Sequence, residues 1–367
     1  MREATLVTAQ GQLDTAVFRL QSAARLAIDT EFMRERTYYP QLCLVQVATD
    51  SDCFLIDPLA GLDLAALYAA FSDRSRIKIL HAARQDLEVL QLAGRSVPAP
   101  VFDTQVAAGL LGMPPQVGYA ELVARQLGHS IDKAQTRTDW SRRPLTPEQL
   151  AYAADDVHHL LQLHAELSAA LAASGRERWM IEDAAGLEDV ALYQTEPGEA
   201  WRRLKGIGRL RPREQAVARA LAEWREHRAI ASDKPRGWIL SDEALLAMAS
   251  LAPRTMADLE GIRAIPPAVA RKRGAELLEL IAGSQAGASD ERAAEAMPRR
   301  PTPEENALVA RLQQVVRDSA AALGISPEVL ATRRDVEALV FKDRGESAAL
   351  RGWRREVIGE KLLAAMG

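Results

Sequence analysis

Alternation between strand-like and helix-like segments is the feature that most limits what the first half of this chain can fold into. Three short apolar runs, rich in Val, Ile, Leu and Cys, are separated by turn residues, and a fourth run is followed by stretches with helical spacing. Three consecutive strands before a strand–helix alternation predict an α/β domain with a mixed sheet. The predicted strands cover residues 26–32, 42–48, 53–56 and 77–80.

Four stretches of this half have apolar residues at helical spacing. They cover residues 84–92, 104–111, 119–127 and 147–171. The last begins with a capping box, in which Thr146 precedes Pro147 and is followed three residues later by Gln149. We therefore expect one continuous helix from residue 147 to residue 171.

The second half is predicted to be helical from about residue 199. A similar motif occurs twice, Leu-Ser-Asp-Glu-Ala-Leu at 240–245 and Ile-Ser-Pro-Glu-Val-Leu at 325–330, and each copy follows a long amphipathic helix. This repeat predicts two copies of one small helical module. Trp224, Trp238 and Trp353 are expected in their cores. The predicted domains are 1–195, 210–283 and 304–367, with a small, polar, proline-ended linker at 284–303.

Composition excludes several classes of protein. The 367 residues are 48% hydrophobic and 26% charged, as in a soluble globular chain. No run of about 18 uncharged apolar residues occurs and the N-terminus lacks a hydrophobic signal core, so neither a membrane-spanning nor a secreted protein is expected. Cys43 and Cys53 lie in apolar runs and are predicted to be buried thiols of a cytoplasmic protein.

Charge is unevenly distributed between the two halves. Residues 1–190 hold 17 Lys and Arg against 25 Asp and Glu, whereas residues 191–367 hold 29 against 25. An acidic half joined to a basic half fits a metal-binding body with a tail that binds polyanions. On charge alone, ordinary surface variation is the better interpretation.

Four carboxylates and one tyrosine stand out by their positions. Asp29 and Glu31 lie two residues apart at the end of a predicted strand, so they share one face. Asp86 falls in the first turn of a helix that follows a strand. Tyr152 and Asp156 are four residues apart on a predicted helix and therefore lie on one helical face.

Grouped carboxylates with few His or Cys neighbours favour hard divalent cations, Mg²⁺ or Mn²⁺, over zinc. Two such ions about 3.5–4 Å apart can stabilise the attacking and leaving oxygens of a phosphodiester displacement, and a tyrosine beside a carboxylate can hold the attacking water. Simpler interpretations stay open. An acidic pair at a strand end is often solvated, Asp86 can complement the helix dipole, and periodicity does not separate Asp156 from Asp155.

Six motifs follow one another between about residues 24 and 170. They are Ile28-Asp29-Thr30-Glu31-Phe32, Thr37-Tyr38-Tyr39-Pro40-Gln41-Leu42, His81-Ala82-Ala83-Arg84-Gln85-Asp86-Leu87-Glu88, Val101-Phe102-Asp103-Thr104-Gln105, Arg137-Thr138-Asp139-Trp140 with Arg143-Pro144-Leu145-Thr146, and Tyr152-Ala153-Ala154-Asp155-Asp156-Val157. In these motifs and their order the chain resembles the DEDD superfamily of 3′→5′ exonucleases, and within it the ribonuclease D family.

The resemblance implies a fold, an activity and a set of site residues. The fold is an α/β, ribonuclease H-like mixed-sheet exonuclease core. The activity is that of a divalent-metal-dependent 3′→5′ exoribonuclease that trims 3′ extensions of transfer-RNA precursors or other structured RNAs, releasing nucleoside 5′-monophosphates by a two-metal-ion mechanism. The positions that match the family's catalytic set are Asp29, Glu31, Asp86 and Asp156 as ligands of two Mg²⁺ or Mn²⁺ ions, and Tyr152 as the water-orienting residue.

The third motif of that family also separates its subtypes. The tyrosine subtype has Tyr-x3-Asp, which Tyr152 and Asp156 satisfy. The histidine subtype has His-x4-Asp and would need histidine at the position of Ala151. The resemblance therefore implies the tyrosine subtype.

The two helical modules resemble the HRDC domain, a small helical bundle associated with nucleic-acid binding. The second copy is more divergent and has packing as its alternative role. Candidate phosphate contacts, which are equally interpretable as solvated basic helix faces, are Arg271, Lys272, Arg273, Arg351, Arg354 and Arg355. No G-x-x-x-x-G-K-[ST] motif occurs, which excludes a helicase motor and a nucleotide cofactor.

The expected partner is RNA, with transfer-RNA 3′ ends as substrate, and the expected oligomeric state is a monomer. One alternative is a DNA 3′→5′ exonuclease, because the same catalytic set serves DNA, and recognition of the 2′-hydroxyl would separate the two. Another is a non-catalytic nucleic-acid-binding scaffold. The presence of all four carboxylates argues against the scaffold.

Overall fold

A computed structural model describes residues 4–131, 138–286, 301–341, 345 and 347–367. Two units are distinguished: the first comprises Met1–Met33, Leu42–Tyr193 and Pro301–Gly367, and the second comprises Arg34–Gln41 and Gln194–Arg300. Arg137 of the fifth motif and residues 287–300 of the predicted linker lie outside the described residues. Within the described ranges, no helix is both long enough and apolar enough to cross a membrane.

Six strands form one mixed sheet in the part of the chain that the structure describes. They are β1 (Thr5–Val7), β2 (Arg25–Met33), β3 (Gln41–Ala48), β4 (Cys53–Ile56), β5 (Ile77–Leu80) and β6 (Val101–Asp103), in the spatial order β1-β4-β3-β2-β5-β6. The pairs β1–β4, β2–β5 and β5–β6 are parallel, and β3–β4 is antiparallel. The predicted mixed sheet is confirmed, and β1 and β6 are added to it. Cys43 and Cys53 are buried thiols on β3 and β4, as expected.

The helices follow the chain in three groups. The first group is α1 (Gln10–Gln21), α2 (Ala65–Ser72), α3 (Arg84–Gly94), α4 (Thr104–Leu110), α5 (Tyr119–Leu127), α6 (Pro147–His158), α7 (Leu160–Ala173) and α8 (Glu177–Leu187). The second is α9 (Pro212–Ser232), α10 (Arg236–Ile239), α11 (Asp242–Leu251), α12 (Met256–Glu260) and α13 (Pro267–Ala286). The third is α14 (Pro303–Leu323), α15 (Pro327–Leu330), α16 (Arg333–Phe341), α17 (Gly352–Arg354) and α18 (Glu360–Met366).

The continuous helix expected over residues 147–171 is wrong, because the chain breaks at His159 into α6 and α7. In an unbroken helix the His159 amide would donate to the Asp155 carbonyl four residues earlier. That carbonyl instead accepts a hydrogen bond from the Tyr119 hydroxyl at 3.1 Å, while the His159 amide bonds to the Val157 carbonyl. A side chain inserted into the hydrogen-bond ladder is a recognised cause of a helix break.

The start of α6 is capped as its sequence predicts. The Thr146 hydroxyl accepts from the Gln149 amide at 3.2 Å, and the Gln149 side chain accepts from the Thr146 amide at 2.9 Å. Pro147 occupies the first helical position, where its missing N–H costs nothing. These contacts fix where α6 begins, and with it the register of every side chain along the helix.

The two faces of the sheet are covered by different helices. Leu26 and Ile28 of β2 belong to a core cluster with residues of α1, α2 and α3. Ala27 belongs to the cluster formed with α4, α5 and α7. Because side chains alternate along a strand, Asp29 and Glu31 lie on the same side as Ala27, where α6 and α7 contact β2.

The third group of helices shares its core with the first unit. Buried residues such as Leu312 and Leu330 belong to the same cluster as Leu163 and Leu167 of α7. Trp353, 1% exposed, stacks on Trp179 with ring centroids 4.2 Å apart. Trp353 therefore lies in a core, as predicted.

Arg354 is held by an ion pair. Its Nη1 and Nη2 atoms bond to the two carboxylate oxygens of Asp183 at 2.5 and 2.9 Å, and its Nε atom bonds to the Val329 carbonyl at 3.0 Å. With these bonds made and 22% of its side chain exposed, Arg354 has a structural role here, and the phosphate contact expected of it is not supported.

The second unit has a core of its own. Its cluster runs from Ala200 to Ile281 and includes buried residues of α9, α11 and α13. Trp224 is partly buried against this cluster and donates to Glu276 at 2.7 Å. Trp238 is 63% exposed, so its predicted place in a core is wrong. It lies on α10, a helix of four residues, and Leu240 directly after that helix is the buried side chain.

Candidate metal centre

Three of the four predicted carboxylates meet at the end of β2. Ligand oxygens of Asp29, Glu31 and Asp156 all lie within 4.8 Å of one another, and all three residues are partly buried. The first two come from one face of β2, and Asp156 comes from α6, which packs on that face. We refer to Asp29, Glu31 and Asp156 as the carboxylate cluster.

Asp86 reaches the same region from the other side of the sheet. It is 8% exposed in the first turn of α3, and its Oδ1 atom accepts a hydrogen bond from the Thr30 hydroxyl at 2.5 Å. Thr30 points to the α3 side of β2 because it alternates with Asp29 and Glu31. The β2 end is thus flanked by acidic side chains from α6 and α3.

Burial and mutual repulsion raise the pKa values of these four carboxyl groups, because both disfavour the ionised form. Burial raises the pKa of Asp29 well above its ordinary value, and the charges of Asp86, Asp156 and Glu31 raise it further. Burial, with repulsion from Asp156 and Asp86, raises the pKa of Glu31 to about 9. Burial also raises the pKa of Asp86 and that of Asp156 to about 7. Such crowding of like charges is the signature of a site that a cation would stabilise.

Tyr152 and Asp156 interact on one face of α6, as their spacing predicts. A hydrogen bond from the Tyr152 side chain opposes the burial that raises the pKa of Asp156. The Tyr152 ring lies 6.1 Å from the ring of Trp140, centroid to centroid. The neighbouring Asp155 carboxylate lies 3.8 Å from Nδ1 of His158 instead, and it is Asp156 whose oxygen joins the carboxylate cluster.

Thr30 and Tyr119 shape this region but are not among the predicted site residues. Thr30 contacts Asp86, and the Tyr119 hydroxyl bonds to the carbonyl of Asp155, directly before Asp156. Burial raises the pKa of Tyr119 well above its ordinary value, and the charges of Asp156 and Asp29 add to the effect. Thr30 lies between Asp29 and Glu31 in the first motif, so its position in the sequence marks it as a neighbour of the site. Nothing in the sequence around Tyr119 shows that its hydroxyl reaches α6.

The chemistry of this site follows from its ligands. Every donor is a carboxylate oxygen, and hard divalent cations prefer oxygen donors. The cluster lies where two chain elements converge, so both the strand and the helix fix the side chains. The arrangement can hold divalent cations and, through Tyr152, a hydrogen-bonded water.

Comparison with known proteins gives matches over nearly the whole chain. A family model described as 3′-5′ exonuclease matches residues 4–172, and a model of the HRDC domain matches residues 214–281. Ribonuclease D of Acidiphilium cryptum is 41% identical, with 100% of this chain and 93% of that protein covered. Ribonuclease D of Pseudomonas paraeruginosa is 40% identical over 93% of this chain and 92% of that protein.

A solved structure extends the similarity to three dimensions. The crystal structure of Escherichia coli RNase D, an exoribonuclease involved in structured RNA processing, matches with a TM-score of 0.89 and 30% sequence identity. The match covers 100% of this chain and 99% of that one. It therefore includes the sheet and all three groups of helices.

Proposed function

This chain belongs to the ribonuclease D family and is a 3′–5′ exoribonuclease, and on that basis we propose that the carboxylate cluster and Asp86 hold its divalent cations. The observation that carries the proposal is the convergence of Asp29, Glu31 and Asp156 within 4.8 Å. Two ions, Mg²⁺ or Mn²⁺, suit this set because its donors are all oxygen and its charge is strongly negative. When bound, the ions stabilise the charge that develops on the phosphodiester oxygens.

The residues around the ions have separate tasks. The carboxylate cluster binds from the α6 side of β2, and Asp86 binds from the α3 side. Tyr152 orients the attacking water, because its hydroxyl already lies in hydrogen-bonding contact with Asp156. A neutral phenol is a poor ligand for hard cations, so Tyr152 acts on the water and not on the ions.

The substrate we propose is the 3′ extension of a transfer-RNA precursor or another structured RNA, released as nucleoside 5′-monophosphates. The similar Escherichia coli enzyme acts in structured RNA processing, and the HRDC match adds a domain associated with nucleic acid. Arg271 and Lys272 of α13 are exposed and are proposed to contact phosphates, together with Arg273, which lies 3.6 Å from Glu276. We further propose that the protein works as a cytoplasmic monomer.

Activity assays test the metal and the substrate together. Purified protein is incubated with 3′-extended transfer RNA and with single-stranded DNA, each in EDTA, Mg²⁺ or Mn²⁺. We expect mononucleotide release from RNA that stops in EDTA and returns with either ion. Cleavage in EDTA would contradict the metal centre, and faster digestion of DNA than of RNA would contradict the substrate.

Two neighbouring aspartates provide a matched pair for the ligand assignment. Asp156→Asn removes one charge at nearly constant volume, and we expect no detectable turnover under saturating Mn²⁺. Asp155→Asn makes the same change outside the carboxylate cluster and should retain substantial activity. An inactive Asp155→Asn beside an active Asp156→Asn would overturn the assignment.

Tyr152→Phe separates water orientation from metal binding. It keeps the ring beside Trp140 but removes the hydroxyl. We expect kcat to fall by about 10²–10⁴, the usual loss for one positioned hydrogen-bonding or proton-transfer group. The Mn²⁺ concentration for half-maximal activity should stay the same, and a large rise would assign Tyr152 to the metal.

A further inference from the structure

The Asp103 carboxylate accepts hydrogen bonds from four main-chain N–H groups, although Asp103 is not among the predicted catalytic residues. Its side chain is 3% exposed at the end of β6. Oδ1 accepts from the amides of Gln105 at 2.8 Å and Val106 at 3.4 Å, which caps α4. Oδ1 also accepts from the Ala82 amide at 3.0 Å, and Oδ2 accepts from the Ala83 amide at 2.8 Å. The last two bonds tie Asp103 to a different element, the turn between β5 and α3.

That turn is strained at Ala82. Its φ of 53° lies in the left-handed region, which residues with a Cβ rarely adopt. Ala82 is exposed, so packing of its methyl group does not hold it there. The hydrogen bonds from the Ala82 and Ala83 amides to Asp103 stabilise the turn in this conformation, beside those that His81 makes with the Thr104 hydroxyl and the Val117 carbonyl.

The turn determines where Asp86 points. Leu80 at the end of β5 pairs in register with Asp103 at the end of β6, so the two strand ends are neighbours at one sheet edge. The chain leaves β5, passes through Ala82 and enters α3, which has Asp86 in its first turn. A change in φ at Ala82 would swing the start of α3 and move Asp86 away from Thr30 and β2.

We propose that Asp103 is a positioning residue, which fixes the β5–α3 turn and thereby aims Asp86 at the metal centre. This inference rests on the proposed function, in which Asp86 is a metal ligand. Asp103 does not bind the ions itself, because its two oxygens are engaged by the four amides. It acts on Asp86 through the main chain of the β5–α3 turn, one step further from the ions than a hydrogen-bonding partner of a metal ligand would be.

The first test is Asp103→Asn, with Mn²⁺ binding measured by isothermal titration calorimetry and activity measured separately over the same range of Mn²⁺ concentration. The amide keeps the volume but has one acceptor oxygen, so it cannot accept from Ala82 and Ala83 on both atoms. We expect the Kd for Mn²⁺ and the Mn²⁺ concentration for half-maximal activity both to rise by about 10–100-fold, with KM for RNA unchanged. Wild-type Mn²⁺ dependence in a folded Asp103→Asn would overturn the proposal.

A second variant tests the turn without touching Asp103. Ala82→Val puts a β-branched residue at an exposed position with positive φ, where such residues are strongly disfavoured. We expect a shift in the same direction, of roughly threefold to tenfold. If Asp103→Asn fails to fold, Ala82→Val decides, and an unchanged Mn²⁺ requirement would refute the positioning role.

A rescue and a control separate positioning from general instability. Glycine adopts left-handed φ freely, so Asp103→Asn with Ala82→Gly should recover part of the lost Mn²⁺ affinity. Leu20→Ala, in the fully buried core of α1, destabilises the same unit and should keep the wild-type Mn²⁺ requirement. An equal shift in Leu20→Ala, or no rescue by Ala82→Gly, would contradict the proposal.

Asp86→Asn separates failure of the positioning role of Asp103 from failure of the proposed metal centre. An active Asp86→Asn would mean that the proposed metal centre is wrong. An inactive Asp86→Asn, beside Asp103→Asn and Ala82→Val enzymes with wild-type Mn²⁺ dependence, would refute only the positioning role. An inactive Asp86→Asn with both expected shifts supports both.

Discussion

The two helical modules of the second half are built to the same plan and packed in different ways. Each opens with a helix of 21 residues, α9 and α14, continues with a helix of four residues, α10 and α15, and then has one of about ten, α11 and α16. The first module closes a core from its own residues, whereas the buried residues of the second join the core of the exonuclease sheet. Only the first matches the HRDC model.

This difference shows that a sequence repeat specifies element lengths more firmly than it specifies role. Helix lengths follow from caps and from local spacing, which both modules retain. What a module packs against depends on a few large side chains, and these differ. Trp353 of the second module is 1% exposed against Trp179, while Trp238 of the first is 63% exposed.

The largest effect should come from the two tryptophans. Trp353→Ala removes a fully buried ring and should lower the free energy of unfolding by about 3–5 kcal/mol. Trp238→Ala, its matched control, removes an exposed ring and should change it by no more than about 0.5 kcal/mol. Urea unfolding followed by circular dichroism measures both. Equal decreases in the free energy of unfolding for the two variants would contradict the buried, structural role of Trp353 and the exposed position of Trp238.

A smaller effect should separate two adjacent arginines of the second module. Arg354→Ala breaks the bidentate pair with Asp183, whose side chains are 22% and 16% exposed, and should cost about 1.5–3 kcal/mol. Arg355→Ala removes a 63% exposed side chain 3.4 Å from Glu360 and should cost less than about 1 kcal/mol. The same unfolding assay applies. A larger loss in Arg355→Ala than in Arg354→Ala would contradict the structural role assigned to the Arg354–Asp183 ion pair.

The smallest effect concerns RNA binding by the first module. The double variant Arg271→Ala with Lys272→Ala should weaken RNA binding and flatten its dependence on log salt by about 1.4, at roughly 0.7 per phosphate contact on a single strand. Arg355→Ala with Lys361→Ala removes the same charge from the second module and should leave the slope unchanged. Fluorescence anisotropy at several salt concentrations gives both slopes, and equal changes would assign RNA binding to both modules.

Local sequence patterns predict the strands well and the helix break poorly. The runs that became β4 and β5 are bounded by turn residues, and their observed ends agree with the prediction. The break at His159 comes from Tyr119, forty residues earlier by the numbering, and no local pattern contains it. β1 and β6 have three residues each, too few for an alternating pattern to be recognised.

In the candidate site, too, local patterns predict some features, while others depend on contacts between distant segments. The period of two places Asp29 and Glu31 together, and the helical period places Tyr152 and Asp156 on one face, but only the structure separates Asp156 from Asp155. The pairing of Leu80 with Asp103, on which the inferred role of Asp103 depends, is a matter of strand register. Register depends on contacts between distant segments, so the motif around Asp103 was visible in the sequence while its contact with Ala82 was not.

The shared core of the third helical group also bears on how the enzyme is made. The ribosome completes the sheet and α1 to α8 long before it reaches Pro303. The core cluster that contains Leu167 also contains Leu312, and the Trp179 ring stacks on Trp353, so part of this core is made late. Because domains generally fold as units during synthesis, we expect the core of this unit to close only once the third group of helices has been made.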